Sequence, residues 1–286
     1  PAVKPTQESA FIFCSTLLEI LRQKAQGCSD KIFNICQKSS LVGPLLIYRY
    51  ILSDLHLQDK KTMTASYIKM WREHFVQVIA VLTQITNLTL KVIANVAFDN
   101  DEDAEEEFGF NVDCRGHIYF KDNNSGEVEG DVHTLIVNCW LAIKELALVL
   151  GTLSQTVTLT QNDKGTLVEE ECVLLREHFD QIGMLFLHII LSTKHNGAIE
   201  KGHIGFHLLC QRLLHSNVPE LIQLPHKYFN LLMDKIMDPQ TNTLRRSAGL
   251  PFLFRAIANA EPYNVPRVLL PKLIKRLLDI CDDKSI

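Results

Sequence analysis

The chain has 286 residues, of which 47% are hydrophobic and 22% charged, with only 13 Gly and 10 Pro. This composition excludes a disordered or fibrous chain and predicts an ordered protein with a large core. The formal net charge of −4 gives no global attraction to nucleic acid or to an anionic membrane, so any such binding requires a local patch. The chain begins at Pro1 without an initiator Met or a signal pattern, and we expect an internal segment of a longer scaffold protein.

Helical periodicity dominates residues 1–97, which we interpret as a first set of helical repeats. Apolar stripes predict helices over 8–26, over 30–37 and after Gly43-Pro44. Thr64 has the residue type of an N-cap and predicts the start of a long helix that runs to about Ala97. Its apolar residues keep the i, i+3, i+4 spacing of a core-facing helix.

Residues 98–130 interrupt this pattern. The run from Asp99 to Glu107 holds seven carboxylates in nine residues and is followed by a Gly/Asn-rich stretch. Like charges at this density repel one another and stay solvated. We therefore predict a long, acidic, partly disordered surface insertion, in which residues 117–120 add at most a short strand or hairpin.

Residues 131–286 are predicted to be helical repeats again, with a polar loop over 154–166. The predicted helices cover 135–153, 168–192, 199–215, 219–236, 243–259 and 266–281. Pro251 lies inside the penultimate one and either kinks it or marks its true start. Pairs of helices joined by short loops predict an all-α fold, an armadillo/HEAT-like α-solenoid segment. An irregular helical domain is the alternative.

Apolar segments and cysteines bear on the environment of the chain. No membrane span is predicted, because 182–191 is far shorter than the roughly 20 residues that a span needs and 135–153 carries Lys144 and Glu145 at its centre. The eight cysteines are scattered without close pairs, which predicts free buried thiols. A reducing compartment, cytosolic or nuclear, follows, and we take the cytoplasm as the expected location.

Motifs for catalysis are missing from the sequence. The run from Gly197 to Gly202 has the glycine spacing of a P-loop, but His203 and Ile204 replace the Lys and Ser/Thr that hold phosphate and magnesium. No G-x-G-x-x-G follows a predicted strand, and no G-x-S-x-G elbow is present. We therefore predict no catalytic residues, no cofactor and no small-molecule substrate.

Two histidines have a spacing that is compatible with a metal. His203 and His207 lie four residues apart on one predicted helix face, but Ile204 stands where a zinc protease has its glutamate. The surrounding apolar residues favour packed or surface imidazoles. We predict no metal site and keep a metal-dependent enzyme as a distant alternative.

The clearest candidate for recognition is the stretch 241–276. It contains seven cations, namely Arg245, Arg246, Arg255, Arg267, Lys272, Lys275 and Arg276. Against the single acid Glu261 this is a local charge of +6, which would attract RNA or an acidic protein surface. Solvated helix faces that balance the acidic run are the alternative. Arg245 and Arg246 at a predicted helix start oppose the helix dipole, which suggests a carboxylate or phosphate nearby.

Three stretches resemble a known family. They are Asn138–Glu145 (NCWLAIKE), residues 179–206 with the run KHNGAIE, and Leu244–Pro251 (LRRSAGLP). Together they resemble the central region of the thyroid adenoma-associated protein family, which includes a yeast tRNA-methylation subunit. The resemblance covers about 131–260.

The resemblance implies a long armadillo-type solenoid with a non-catalytic, regulatory role. Members of the family pair with a separate tRNA 2′-O-ribose methyltransferase that modifies nucleotide 32 of the anticodon loop, so that enzyme and tRNA are the expected partners. We hypothesise that Arg245, Arg246 and Arg255, in or beside the last motif, contact tRNA or the enzyme. Alternatively, Arg245 or Arg246 pairs with a carboxylate such as Glu145.

Other motif residues are interpreted as packing residues at close helix contacts, namely Trp140, Gly183, Gly205 and Phe206. The rival to an RNA-related function is a helical-repeat scaffold for protein–protein interaction, in which the basic stretch meets an acidic partner.

Overall fold

The computed structural model describes residues 7–26, 41–55, 57–58, 63–96, 110–112, 117–120, 130–193, 195–236 and 248–282. Its helices are α1 (Gln7–Gln26), α2 (Val42–Asp54), α3 (Ala65–Val96), α4 (Val132–Thr156), α5 (Arg176–Ser192), α6 (Asn196–Leu214), α7 (Pro219–Ile236), α8 (Leu250–Ala260) and α9 (Leu269–Asp282). The all-α helical-repeat fold class is confirmed. The predicted helix at 30–37 lies outside the described residues.

Several helix bounds follow from local signals. The backbone N–H of Tyr67 donates to the Thr64 hydroxyl at 3.4 Å, so Thr64 caps α3 as predicted. Helix α7 has the predicted bounds, and it begins at Pro219, whose missing N–H is harmless in the first turn. Gly43 and Pro44 lie within the first turn of α2 rather than before it.

The predicted insertion contains a small antiparallel sheet. Strands β1 (Phe110–Val112), β2 (His117–Phe120) and β3 (Gly130–Asp131) pair in that order. Asn111 lies opposite Tyr119, and Ile118 lies opposite Gly130. We expected residues 117–120 to add at most a short strand or hairpin, and the three-stranded sheet exceeds that expectation. The predicted acidic run and its disorder lie outside the described residues, and the predicted domain bounds stay predictions.

Helix α5 begins at Arg176 and not near 168 as predicted. Residues 157–175 form a longer connection, which includes one turn of 3₁₀ helix at Glu169–Glu171. The Arg72 guanidinium donates to the backbone carbonyls of Glu169 and Cys172, and the Nδ1 of His178 accepts the Leu175 N–H at 2.9 Å. These contacts satisfy the backbone outside a helix, which is why the helix starts late.

Helix α8 begins at Leu250, which corrects the predicted start at 243. Residues 248–249 form a turn, and Pro251 lies in the first helical turn, so Pro251 marks the start of the helix instead of kinking it. Arg245 and Arg246 lie outside the described residues. The inference from an opposed helix dipole at these two residues therefore stays a prediction.

Two compact units are distinguished by their internal contacts. The first comprises residues 1–51 and 80–146, and the second comprises 52–79 and 147–286. In the first unit, the Arg49 Nε lies 3.2 Å from the Glu145 Oε2, and the Lys144 Nζ lies 3.5 Å from the Glu145 Oε1. Glu145 is 5% exposed. Its observed partners are therefore Arg49 and Lys144, whereas the alternative with Arg245 or Arg246 involves residues outside the described ranges.

Successive helices of the second unit pack against one another through glycines. A Cβ on Gly205 would lie 2.6 Å from the Ala147 carbonyl oxygen and 2.7 Å from the Phe186 ring. A Cβ on Gly183 would lie 2.1 Å from the Tyr228 hydroxyl. Phe206 is fully buried. The packing roles of Gly183, Gly205 and Phe206 are confirmed, and Trp140 is half-buried.

Two helical segments, Ala65–Ile93 and His133–Thr156, are long and apolar enough to cross a membrane by length and composition. Their most apolar windows are 50% and 61% buried inside the structure, and an apolar core helix of a soluble protein has the same length and composition. The absence of a span stays a prediction. Among the described cysteines, all are free: Cys14, Cys139, Cys172 and Cys210 are buried, and Cys281 is exposed.

Candidate RNA- or partner-binding surface

Five of the seven predicted cationic residues are described, and all five belong to the second unit. Arg255 is exposed on α8, Arg267 lies in the loop before α9, and Lys272, Lys275 and Arg276 are exposed on α9. Arg245 and Arg246 lie outside the described residues. The described part of the predicted surface therefore lies on α8, on α9 and in the loop that joins them.

The single acid of the stretch, Glu261, is a helix cap. Its Oε1 accepts the backbone N–H groups of Val268 and Leu269, each at 2.7 Å, and its Oε2 accepts that of Leu270 at 2.9 Å. Glu261 is 5% exposed. These N–H groups belong to the first turn of α9, where the helix dipole favours a negative charge. The carboxylate is thus engaged by the backbone of α9.

Lys272 is fixed against α7. Its ammonium donates to the Asn230 Oδ1 at 3.0 Å and lies 5.0 Å from the centroid of the Phe229 ring. A cation over an aromatic face is attracted by the ring quadrupole. Lys272 also contributes, after burial, to the lowered pKa of His226. Its position is therefore determined by neutral partners, and its charge is not neutralised by them.

A cleft of about 420 Å³ separates the side chains of α7 and α9. It is lined by Phe229, Asn230, Met233, Asp234, Lys272, Lys275, Arg276 and Asp279. Within the part of the chain that the structure describes, no carboxylate lies within 4.0 Å of the Lys275 or Arg276 nitrogens. The lining of this cleft thus holds three cations and one amide but only two carboxylates, Asp234 on α7 and Asp279 on α9, which suits an anion more than a cation.

The half-buried Arg267 lies over the exposed Tyr263 ring in the loop between α8 and α9. The Arg267 guanidinium carbon lies 4.6 Å from the centroid of the Tyr263 ring. Tyr263 is 83% exposed. The sequence reasoning missed Tyr263, although an aromatic residue four positions before an arginine in a proline-bounded loop is a visible signal.

Arg255 lies near the two histidines that were considered as metal ligands. Burial lowers the pKa of His203, and the nearby Arg255 and His207 lower it further. The His203 ring packs edge-on against Phe252 at 5.7 Å, and the His207 Nδ1 donates to the Ala256 carbonyl at 3.1 Å. Both imidazoles therefore pack α6 against α8. Among the described residues, no group of three or more metal-ligating side chains occurs.

Helix α9 also presents an apolar stripe to solvent. Leu269 and Leu273 are buried, whereas Ile274, Leu277 and Leu278 are 51%, 40% and 59% exposed. The three exposed residues have the i, i+3, i+4 spacing of a helix face that packs on a partner. The surface thus combines cations with an apolar face.

Three of the described thiols, those of Cys14, Cys172 and Cys210, are not activated as nucleophiles. Burial raises the pKa of Cys14 to about 12, and burial also raises the pKa of Cys172 and of Cys210. A thiol needs a lowered pKa to react as the thiolate at neutral pH. What the surface offers chemically is binding: positive charge, aromatic faces and an apolar stripe.

Comparisons with known proteins agree on one family. The family model described as THADA/TRM732, DUF2428 matches residues 73–285. The chain is 23% identical over 284 residues to a Drosophila melanogaster protein named tRNA (32-2′-O)-methyltransferase regulator THADA, and this match covers 94% of this chain and 16% of the fly protein. Proteins of the same name are 29% identical over 155 residues in Gallus gallus and 30% identical over 177 residues in Canis lupus familiaris.

The vertebrate matches cover 53% and 59% of this chain, and 8% and 9% of the chicken and dog proteins. The chain thus spans less than a fifth of the length of these curated relatives. No solved structure matches the chain.

Proposed function

Because this chain belongs to the THADA/TRM732, DUF2428 family, we propose that it acts in the regulation of tRNA 2′-O-ribose methylation at nucleotide 32 by a separate methyltransferase. The family match over residues 73–285, together with relatives named as tRNA (32-2′-O)-methyltransferase regulators, carries the proposal. The chain contributes binding and no reactive group. Its partners are the methyltransferase and tRNA, and its location is the cytoplasm.

The surface chemistry supports a positioning role. Holding enzyme and substrate in a productive geometry lowers a barrier without any catalytic group, since orientation alone is worth several kcal/mol. Lys275 and Arg276 line the α7–α9 cleft without a carboxylate within 4.0 Å in the described structure. Arg255 adds an exposed guanidinium on α8. Such cations bind the tRNA backbone through its phosphates.

The test replaces the cleft cations in the complete gene product. Cells that lack the native gene are supplied with the complete coding sequence carrying Lys275→Glu and Arg276→Glu. We expect 2′-O-methylation of nucleotide 32 to fall while the protein level stays constant, because the change removes two cations that bind phosphate and adds two repulsive charges. The salt dependence of tRNA binding by the purified protein should weaken by about one unit of slope for each phosphate that the protein no longer binds.

A matched control makes the same charge change elsewhere in the second unit. Lys69 on α3 and Lys164 in the loop before α5 are both exposed, far from the α7–α9 cleft in sequence. The double variant Lys69→Glu, Lys164→Glu should leave methylation unchanged. Equal methylation by both double variants and by the wild type contradicts a role for the cleft.

The exposed stripe Ile274, Leu277 and Leu278 favours a second candidate function, a protein–protein scaffold without RNA. Replacing Ile274 and Leu278 by Ser should then abolish binding of a protein partner and leave tRNA affinity unchanged. Under the first proposal, tRNA binding by the wild-type protein falls steeply with salt. A wild-type protein that binds the methyltransferase but no tRNA supports the scaffold alone.

A further inference from the structure

Tyr263 is an aromatic side chain that the fold displays to solvent. Its exposure of 83% exceeds that of every other large hydrophobic side chain in the part of the chain that is described. Tyr is usually intermediate in burial, and this ring keeps most of its apolar area in water although the Arg267 guanidinium lies over it. The ring thus lies where a planar ligand has free access.

The loop that carries Tyr263 is held at both ends. Before it, the buried Glu261 carboxylate accepts three N–H groups from the residues that begin α9. Pro262 and Pro266 restrict the backbone on either side of Tyr263. The Arg267 guanidinium lies 4.6 Å from the ring centroid. The ring and the guanidinium are therefore positioned before any ligand binds, which lowers the entropic cost of binding.

We propose that Tyr263 and Arg267 form a stacking platform for an unpaired nucleobase of RNA. Bases that are splayed out of a single strand or a loop stack on tyrosine rings and on arginine planes, whereas bases inside a duplex are not accessible. The platform deepens the proposed function and rests on it: the ligand is the single-stranded part of the tRNA. It adds base contacts to the phosphate contacts of the cleft cations.

The surroundings of Tyr263 favour RNA over other planar ligands. Helix α9 follows the platform directly, and a rise of 1.5 Å per residue separates Leu269 from Arg276 by about 10 Å along the axis. An RNA strand with one base stacked on the platform would therefore reach Lys275 and Arg276 within a few nucleotides. The acid between α8 and α9, Glu261, is buried and accepts three N–H groups of α9, so it does not occupy the surface that a strand would contact.

A second exposed tyrosine also lies beside an arginine, but the charge around it is different. Tyr50 in the first unit is 60% exposed, and the Arg49 guanidinium lies 4.8 Å from its ring centroid. Arg49, however, is paired with the buried carboxylate of Glu145 at 3.2 Å. That arginine is neutralised, and an acid lies beside it. Tyr50 is therefore the matched control for Tyr263.

The experiment measures binding of two RNA probes to the complete gene product, alone and mixed with the methyltransferase. The probes are a labelled hairpin with the anticodon stem and loop, and a fully paired duplex of equal length. Tyr263→Ala should weaken hairpin binding by about 5- to 150-fold, the range for removal of one stacked base. Duplex binding and the salt slope should not change, because every cation that binds phosphate is retained. Tyr263→Phe keeps the ring and should keep hairpin affinity.

Two further variants separate stacking from charge and from nonspecific aromatic contact. Arg267→Lys keeps the positive charge but removes the plane, so it should weaken hairpin binding while the salt slope stays constant. Tyr50→Ala should bind both probes as the wild type does. A circular-dichroism melt of each variant checks that the fold is retained.

Three results overturn the platform. One is unchanged hairpin affinity in Tyr263→Ala, and another is an equal decrease for hairpin and duplex. The third is abolished methyltransferase binding with RNA affinity intact, which assigns Tyr263 to a protein contact. If the hairpin result fails while Lys275→Glu, Arg276→Glu still lowers methylation, only the platform is wrong. If the wild-type protein binds neither probe in either setting, the proposed tRNA contact fails as well.

Discussion

Replacing Gly205 by alanine tests how tightly helices α4, α5 and α6 pack in the second unit. The added Cβ would lie 2.6 Å from the Ala147 carbonyl oxygen and 2.7 and 2.8 Å from two carbons of the Phe186 ring. Overpacking costs about 1–3 kcal/mol, and a backbone carbonyl cannot rotate away, so the upper end applies. Alanine gains about 1 kcal/mol over glycine in a helix interior. The expected net destabilisation is about 2 kcal/mol.

Hydrogen–deuterium exchange followed by mass spectrometry measures this destabilisation helix by helix in the complete gene product. Amides of α6 should exchange about 30-fold faster in Gly205→Ala than in the wild type, if they exchange by opening of this packing. The control is Gly43→Ala in α2, where an added Cβ meets nothing within 4 Å. That variant gains the helix propensity of alanine but places a Cβ before Pro44, which disfavours the helical region for the residue that precedes it, so exchange around residue 43 should change far less than exchange of α6 in Gly205→Ala.

The two substitutions are chemically identical, so a much larger effect at Gly205 isolates the packing. Unchanged or slower exchange of α6 in Gly205→Ala would refute the close approach of α6 to α4. An equal increase of exchange in both variants would contradict a specific packing role of Gly205.

Two further substitutions probe individual side chains. Glu261→Ala removes the carboxylate that caps α9, which should cost about 1–2 kcal/mol and raise amide exchange in the first turn of α9. It should also weaken hairpin RNA binding, because the loop that carries Tyr263 loses its anchor. Arg49→Ala leaves Glu145 buried with only Lys144 at 3.5 Å. The expected cost is about 3 kcal/mol, the lower end for breaking a buried pair, measured by urea unfolding.

Helix bounds could be predicted from the sequence wherever the signal is local. Thr64 caps α3, and Pro219 opens α7, since each acts on backbone groups within three or four residues. The start of α5 could not be predicted, because Arg72 binds the carbonyls of Glu169 and Cys172 from a helix far away in sequence. A contact between residues so far apart in the sequence produces no periodic pattern of apolar residues.

The sequence predicted which charges the candidate surface carries, but it did not predict which partners those charged side chains have. Counting residues treats Glu261 as an opposing charge, whereas the fold turns its carboxylate onto three N–H groups of α9. Glu145 was named as one alternative partner for Arg245 or Arg246, which lie outside the described residues; its described partners are Arg49 at 3.2 Å and Lys144 at 3.5 Å. Tyr263 escaped notice because composition gives no measure of exposure. Charge sign is a local property, and partner choice depends on the tertiary fold.

The cations of α9 raise the question of whether stability alone explains them. Lys272 and Arg276 are spaced i, i+4, and a like-charge pair at that spacing costs about 0.2–0.5 kcal/mol, too little to require a compensating anion. Unpaired charge is therefore weak support for a bound phosphate. Stronger support comes from cationic side chains that are held in place. The Lys272 Nζ lies 3.0 Å from the Asn230 Oδ1, and the Arg267 guanidinium carbon lies 4.6 Å from the centroid of the Tyr263 ring. Solvated helix faces need no such fixation, whereas a binding surface gains from it because less side-chain entropy is given up when the ligand arrives.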